Sequence, residues 1–386
     1  MTHPVWKRCV LYGSLTLLLI IGFYLVYLGW IKKDMSDFGV CYQGGMRIRQ
    51  GETLYRVEDD HLQFKYAPLA AMFFSLFTIV PYEVAKVIWY YLELVLLFGS
   101  FFLCTRILPA KEKSIWFCSG IGLMILAKYA GREIELGQVN IFLIFLLSLM
   151  VAAIVMGKNI RAGWLWSFSL FFKPYALVFL PYFLLKRRFK LIASGAAMIF
   201  IGLFLPTLFF NFQGNLSVLQ EWMSTLFQST PGLIKVYDNA SLYAFFLKVF
   251  PSLGIRFIEI LIALVFLFLA LLLIWMMRTG RTAALSRPEI LETSYLLVLI
   301  PLFSPLGWYY NYLYSLLAVV FLLNYFKRFP PVLRYILVAN FVAIGGSLRE
   351  VLGKSVFRFY NYNSLMVVSY LLILLYLFYS RARKYA

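Results

Sequence analysis

Residues 9–30, CVLYGSLTLLLIIGFYLVYLGW, carry no charged side chain and are long enough to cross a bilayer as one helix. The chain then turns abruptly polar. Between residues 32 and 66, Asp34, Asp37, Glu52, Glu58, Asp59 and Asp60 stand against Lys32, Lys33, Arg47, Arg49, Arg56 and Lys65. A signal peptide would have a shorter apolar core and a small-residue cleavage site, and none precedes Lys32, so the run reads as a retained first transmembrane helix.

The rest of the chain repeats the apolar part of that pattern. Of its 386 residues, 62% are hydrophobic and only 14% charged, against about a quarter charged in a soluble domain. The reading is an all-α, polytopic integral membrane protein forming one domain over residues 1–386, with about 12 transmembrane helices, some half-length. The net charge of +19 is better explained by basic residues at cytoplasmic helix ends than by nucleic-acid binding. Of the four cysteines, only Cys41 lies in a polar loop that could face an oxidising compartment, so no disulfide is expected. His3 and His61 are too few for a histidine-based metal site, and no cofactor or metal is expected.

Expected spans cover residues 10–30, 84–105, 114–130, 136–156, 191–210, 253–277, 290–308, 311–326, 332–348 and 363–380. A short apolar run at 68–80 reads as a juxtamembrane or re-entrant helix. Residues 162–185 begin and end beside basic residues but are too short for two spans. With Lys173-Pro174 at the middle, they read as two half-length helices meeting at an outer tip. On this topology both termini are cytoplasmic, and residues 31–83 and 211–252 form outer loops. More than half of the 36 basic residues then flank the cytoplasmic side, with only Glu112, Glu289 and Glu292 among them. Glu93 and Glu259 fall inside expected helices, where each needs a partner or a cavity.

The polar clusters left over collect on the outer face: the Asp37 loop, residues 132–135 with Gln138 and Asn140, Lys173, Asp238-Asn239 with Ser241, residues 304–311, and residues 349–358. Asp37 follows helix 1 closely, which holds its carboxylate at the interface, where it can serve as a general base. Lys173, Arg132, Arg349, Lys354 and Arg358 are suited to phosphate oxygens, arginine bidentately and lysine as a point charge. A base opposite a phosphate clamp is what group transfer from a phosphate-linked donor requires. The chain has no glycine-rich phosphate loop, no Asp-x-Asp pair and no segment long enough for a nucleotide-sugar domain, and the acidic run 58–60 reads as a solvated loop. A lipid-borne donor entering from the bilayer fits better. Tyr66 either stacks on a sugar or belongs to the interfacial aromatic belt; Gln138 and Asn140 either serve the site or bond helix to helix.

These residues fall in an order that resembles the polyprenol-phosphate-sugar-dependent glycosyltransferases, and among them glycosyltransferase family 87. The resemblance rests on Asp37-Phe38 with Tyr42, Gly51-Glu52-Thr53-Leu54-Tyr55, Phe64-Lys65-Tyr66-Ala67-Pro68-Leu69, and Ala85 and Trp89 after Pro81. It continues through Gly137-Gln138-Val139-Asn140, Lys173-Pro174 with Lys186-Arg187-Arg188, Asn239-Ala240-Ser241-Leu242 and Ser304-Pro305-Leu306-Gly307-Trp308. It implies the C-type glycosyltransferase fold and a polyprenyl-phosphate sugar donor, typically mannose. It also implies inverting transfer to a glycan or glycolipid acceptor among membrane lipids, and a catalytic aspartate matching Asp37. Asp34, the nearest rival, lacks the aromatic and tyrosine spacing. The family often has histidine after its Ser-Pro-x-x-Trp motif; here Tyr309, Tyr310 and Asn311 stand there, and Tyr310 and Asn311 become the donor-site candidates.

Two alternatives stay open. A lipid or polysaccharide transporter or flippase would show two related halves, and only one broken element is evident. A glycan ligase using a diphosphate-linked donor would lean on arginines rather than on Asp37.

Overall fold

In the computed structural model the described residues are 5–229, 234, 236–282 and 286–385. Their regular structure is helical, and their one β pairing is an isolated bridge between Asn239 and Trp308. The helices are α1 (Val5–Val26), α2 (Ser36–Gln50), α3 (Pro68–Ser75), α4 (Tyr82–Ile107), α5 (Ile115–Leu136) and α6 (Asn140–Val155), then α7 (Asn159–Leu170), α8 (Phe179–Leu185) and α9 (Phe189–Phe204). The chain continues with α10 (Thr207–Ser229), α11 (Leu242–Val249), α12 (Ile255–Thr282) and α13 (Pro288–Phe303), and ends with α14 (Leu316–Asn324), α15 (Pro331–Gly346), α16 (Arg349–Tyr362) and α17 (Met366–Ala382).

The centre is built from helices that are apolar on every side. All of α14 is buried, as is almost all of α13 and α6, and a helix hydrophobic all round belongs inside a bundle. Helix α13 packs against α14, α17, α12 and α6, while α4 and α5 close the other side of α6 and α14. At the periphery α12 turns Leu264, Phe266, Leu267, Phe268 and Leu271 outward, each at least half exposed. Such a surface suits hydrocarbon rather than water. By length and composition Tyr82–Ile107 and Ile255–Gly280 can each cross a membrane, and three bent helix pairs bring the total to five if each is one span. Helices α6, α9, α13 and α15 have 16 residues each. At ~1.5 Å per residue they reach about 24 Å, short of a ~30 Å hydrocarbon core.

The broken element stands as expected. Helix α7 stops at Leu170, Lys173 is extended (φ −142°, ψ 131°), and a short 3₁₀ turn from Pro174 leads into α8. Proline disfavours the α conformation in the residue before it, which accounts for the break at Lys173. The three acids expected among the basic flanks are all paired: Glu112 with Arg328, Glu289 with Arg188, and Glu292 with Lys186.

The segments expected as outer loops differ from expectation. Residues 36–50 form α2, bent 93° from the end of the first helix; α10 leaves α9 at 92°, and α16 leaves α15 at 90°. The described residues of 31–83, 211–252 and 349–358 are therefore largely helical, and residues 132–135 are the last turn of α5 rather than a loop. Hydropathy finds helices that are apolar along their length. A helix lying across the bundle end is only half apolar and reads as loop.

Candidate active site

The first apolar segment ends in a π-helical turn, Tyr27–Ile31. Buried Met35 then takes a left-handed conformation (φ 56°) and donates its N–H to the Glu135 carbonyl at 2.8 Å. That bond ties the chain to the end of α5 and starts α2 at Ser36, which sets Asp37 in the first helical turn. A carboxylate there is favoured by the unpaired N–H groups of the helix start. The next residue, Phe38, is fully buried and stacks on Trp89 at 5.5 Å and on Tyr82 at 6.2 Å. The Trp89 indole N–H donates to the Gly137 carbonyl at 3.2 Å. Gly137 ends α5 with φ +66°, and a Cβ there would lie 2.6 Å from the Phe38 Cβ. Only glycine fits this turn, and the turn aims Gln138 at Asp37.

From Asp37 a chain of hydrogen bonds runs inward. The Gln138 amide N–H donates to Asp37 Oδ2. Lys173 Nζ donates to Gln138 Oε1 and to Asn140 Oδ1, both at 3.0 Å. Asn140 Oδ1 also accepts from the Tyr314 hydroxyl at 3.2 Å. Asn140 Nδ2 donates to Glu133 Oε1 at 2.7 Å and to Asn311 Oδ1 at 3.0 Å. Asn311 Nδ2 in turn donates to the Tyr175 hydroxyl at 3.4 Å, and Lys173 Nζ lies 5.6 Å from the Tyr175 ring centre. Asn140, Glu133 and Asn311 are fully buried.

The electrostatics follow from this placement. Burial pushes the Asp37 carboxyl above the ordinary aspartate range; the Gln138 hydrogen bond and the charges of Lys173 and Arg132 pull it back, and Asp34 adds to the rise. Tyr66 lies within electrostatic range of Asp37, Tyr175 and Tyr310, and burial raises its hydroxyl well above the usual tyrosine value. The Tyr66 segment is fixed from three sides. Its carbonyl accepts from the Tyr55 hydroxyl at 2.7 Å, the Ala67 N–H donates to the Phe171 carbonyl at 2.9 Å, and the Trp222 indole donates to the Lys65 carbonyl at 3.2 Å. Asn311 and Tyr310 are set by a junction of two sequence motifs. Asn239 Oδ1 accepts from the N–H groups of Ser241 and Gly307, its Nδ2 donates to the Pro305 carbonyl, and the Tyr309 N–H donates to the Asp238 carbonyl.

Of the residues singled out from the sequence, Asp37, Gln138, Lys173, Asn140, Asn311, Tyr66 and Tyr310 come together. Arg132 stands at the edge, paired with Glu135 at 2.7 Å and 4.0 Å from Asp34. Arg349, Lys354 and Arg358 lie elsewhere. They line a cavity of about 830 Å³ with Tyr237, Phe357 and Tyr362, and no hydrogen bond or ion pair joins them to the Asp37 chain. Asp59 of the acidic run is held bidentately by Arg47 at 2.5 and 2.9 Å, which keeps its carboxyl below the usual range. Among the described residues no three His, Cys, Asp or Glu side chains converge as metal ligands.

Sequence reasoning placed Glu133 in the polar cluster 132–135 without giving it a role, and it missed Tyr175 and Tyr314. The one available signal was an acid in the last turn before Gly137-Gln138-Val139-Asn140, and it pointed as readily to solvent. Glu93 is fully buried in α4 with neither carboxylate oxygen hydrogen-bonded, whereas Glu259 is exposed near the start of α12. The arrangement supplies a carboxylate, a lysine ammonium held near it by an intervening amide, and tyrosines beside both.

Residues 64–305 match glycosyltransferase family 87. The matched segment contains Tyr66, Glu133, Gln138, Asn140 and Lys173; Asp37 precedes it, and Tyr310 and Asn311 follow it. No curated protein and no solved structure matches the chain.

Proposed function

The chain belongs to glycosyltransferase family 87, and on that premise we propose that it moves one sugar, typically mannose, from a polyprenyl-phosphate donor to a glycan or glycolipid acceptor. Asp37 accepts the proton of the acceptor hydroxyl as that oxygen attacks the anomeric carbon. The bond from that carbon to the phosphate oxygen breaks in line, its electron pair leaves with the phosphate, and the anomeric configuration inverts. Lys173 meets the negative charge gathering on the departing phosphate. Tyr66, Tyr175 and Tyr310 flank the sugar.

The observation that carries this reading is the Asp37–Gln138–Lys173 chain. One amide holds a base and a cation within roughly 7 Å of each other, the span of two hydrogen bonds and the amide itself. A base and a cation that close can act in one transfer, the base on the acceptor hydroxyl and the cation on a phosphate oxygen. Tyr309, Tyr310 and Asn311 stand where the family often carries histidine, so Lys173 supplies the positive charge. A diphosphate donor would call for arginines, and Arg132, the arginine nearest this chain, is already paired. The reaction lies on the outer face in this proposal. Asp37, Lys173 and Asn311 share one end of the bundle, while the basic groups around Arg188, Arg328 and Arg381 gather at the other.

The test is sugar transfer by purified protein in lipid nanodiscs, supplied with polyprenyl-phosphate mannose and a panel of glycan and glycolipid acceptors. Asp37→Asn keeps the shape and removes the base. A loss of about 10²–10⁴-fold, with donor binding and thermal unfolding unchanged, is the expected result. Equal turnover by wild type and Asp37→Asn would overturn the assignment.

A further inference from the structure

We propose that the open groove beside α16 holds an anionic membrane phospholipid, its apolar wall against the acyl chains and the exposed Arg349, Lys354 and Arg358 at its rim against the phosphodiester, at a site separate from the donor phosphate. Helix α16 lies at 90° to α15, so it runs across the bundle rather than along it. Gly353 interrupts it with φ +70°. Despite that break, Arg349 on one side and Lys354 and Arg358 on the other line the same cavity of about 830 Å³.

Three features point to an anionic lipid. First, among the described residues none of the three exposed cations forms an ion pair, and neighbouring Glu350 is paired with none of them, so an anion can reach all three. Secondly, the same helix exposes Val351, Val356 and Phe359 at 66%, 54% and 62%. Apolar residues and cations on one crosswise helix are the composition of a helix lying in the headgroup layer. Thirdly, Tyr237, Phe357 and Tyr362 line the cavity with the cations, and aromatic rings with polar tips sit well at that depth. A soluble phosphate would gain from the charges but not from the exposed apolar residues. A headgroup still attached to its acyl chains gains from both.

The probe is phosphatidylglycerol, titrated into the full-length protein in neutral detergent, with retained lipid counted by native mass spectrometry against phosphatidylcholine as control. Each cation near a membrane surface contributes roughly a fivefold gain in affinity. The triple variant R349Q/K354Q/R358Q is therefore expected to hold phosphatidylglycerol on the order of a hundredfold more weakly, with phosphatidylcholine unaffected. The charge-conserving variant R349K/R358K is expected to retain it. If the triple variant retains phosphatidylglycerol as wild type does, or the charge-conserving variant loses it, the proposal falls. Displacement of the lipid by an equal concentration of glycerol phosphate would reassign the cavity to a free phosphate ester and overturn the lipid assignment. Should the triple variant unfold, Lys354→Gln alone gives the same comparison at about fivefold. The readout is lipid retention, so it stands or falls independently of sugar transfer.

Discussion

Gln138 offers the sharpest test of the site, because replacing it with methionine removes two hydrogen bonds while changing little volume. Its side chain is almost fully buried, donates to Asp37 and accepts from Lys173. A hydrogen bond to a charged group is worth about 1.5–3 kcal/mol. Lys173 keeps its second acceptor, Asn140, so the cost falls mainly on Asp37. At about 1.36 kcal/mol per tenfold in rate, Gln138→Met is expected to lower kcat/KM by roughly 10- to 150-fold. The deficit also depends on pH. Burial raises the Asp37 carboxyl and the Gln138 bond lowers it; without that bond it rises further. As the proposed base, Asp37 works only when ionised, so the acid limb of the kcat/KM profile moves to higher pH and the deficit widens as pH falls. Gln138→Glu is expected to be worse, since it places a like charge beside Asp37. The assay is the initial rate of labelled-sugar transfer in nanodiscs from acid to mildly alkaline pH. A Gln138→Met profile within about twofold of wild type throughout, with the acid limb unmoved, would refute the view that this amide holds the base.

Three further outcomes are expected. Glu133→Leu frees the Asn140 amide to turn its N–H₂ toward Lys173, which raises the donor KM by about tenfold through one lost charged hydrogen bond. Glu133→Gln, whose carbonyl can still accept from Asn140, is expected to rescue it in steady-state kinetics. Gly137→Ala combines an unfavourable φ with a Cβ 2.6 Å from that of Phe38. It should destabilise the protein by about 1–3 kcal/mol, read as a lower thermal midpoint with reduced transfer. Arg47→Met removes the partner that holds the Asp59 carboxyl low. That stabilisation is complete above the ordinary carboxylate pKa and is lost as pH falls through the lowered folded value. The thermal midpoints of variant and wild type should therefore differ at neutral pH and converge on acidification.

Much of the fold was legible because burial in lipid and burial in protein both select the same apolar helices. The runs that became α4, α12 and α17 stand out in hydropathy alone, and the break at Lys173-Pro174 is written in the proline. Helices α2, α10 and α16 were not legible. Each follows a right-angle bend and lies across the bundle, where one side meets protein or lipid and the other meets water. Their polar residues masked them as loops. Glu133 was obscured for the opposite reason: buried under Asn140, it has the same letter as an acid in solvent, and only the packing of α5 against the turn at Tyr309 separates the two cases.

The site itself was legible to the extent that it sits at backbone breaks. Side chains inside a straight helix leave at fixed angles to its axis, so neighbouring parallel helices cannot aim four polar groups at one point at their ends. A break can. Asp37 follows left-handed Met35, Gln138 follows left-handed Gly137, Lys173 precedes Pro174, and Asn311 lies in the 3₁₀ turn after Ser304-Pro305-Leu306-Gly307-Trp308. Each break frees backbone N–H and C=O groups that must find partners when buried, and here they find them across the chain: Met35 to Glu135, Trp89 to Gly137, Ala67 to Phe171, and Ala240 to Gly307. The bonds that repair the breaks therefore also clamp the four segments to one another. This is why glycine, proline and asparagine motifs, each weak alone, marked the place where Asp37 and Lys173 meet, although nothing in their spacing revealed the amide that joins them.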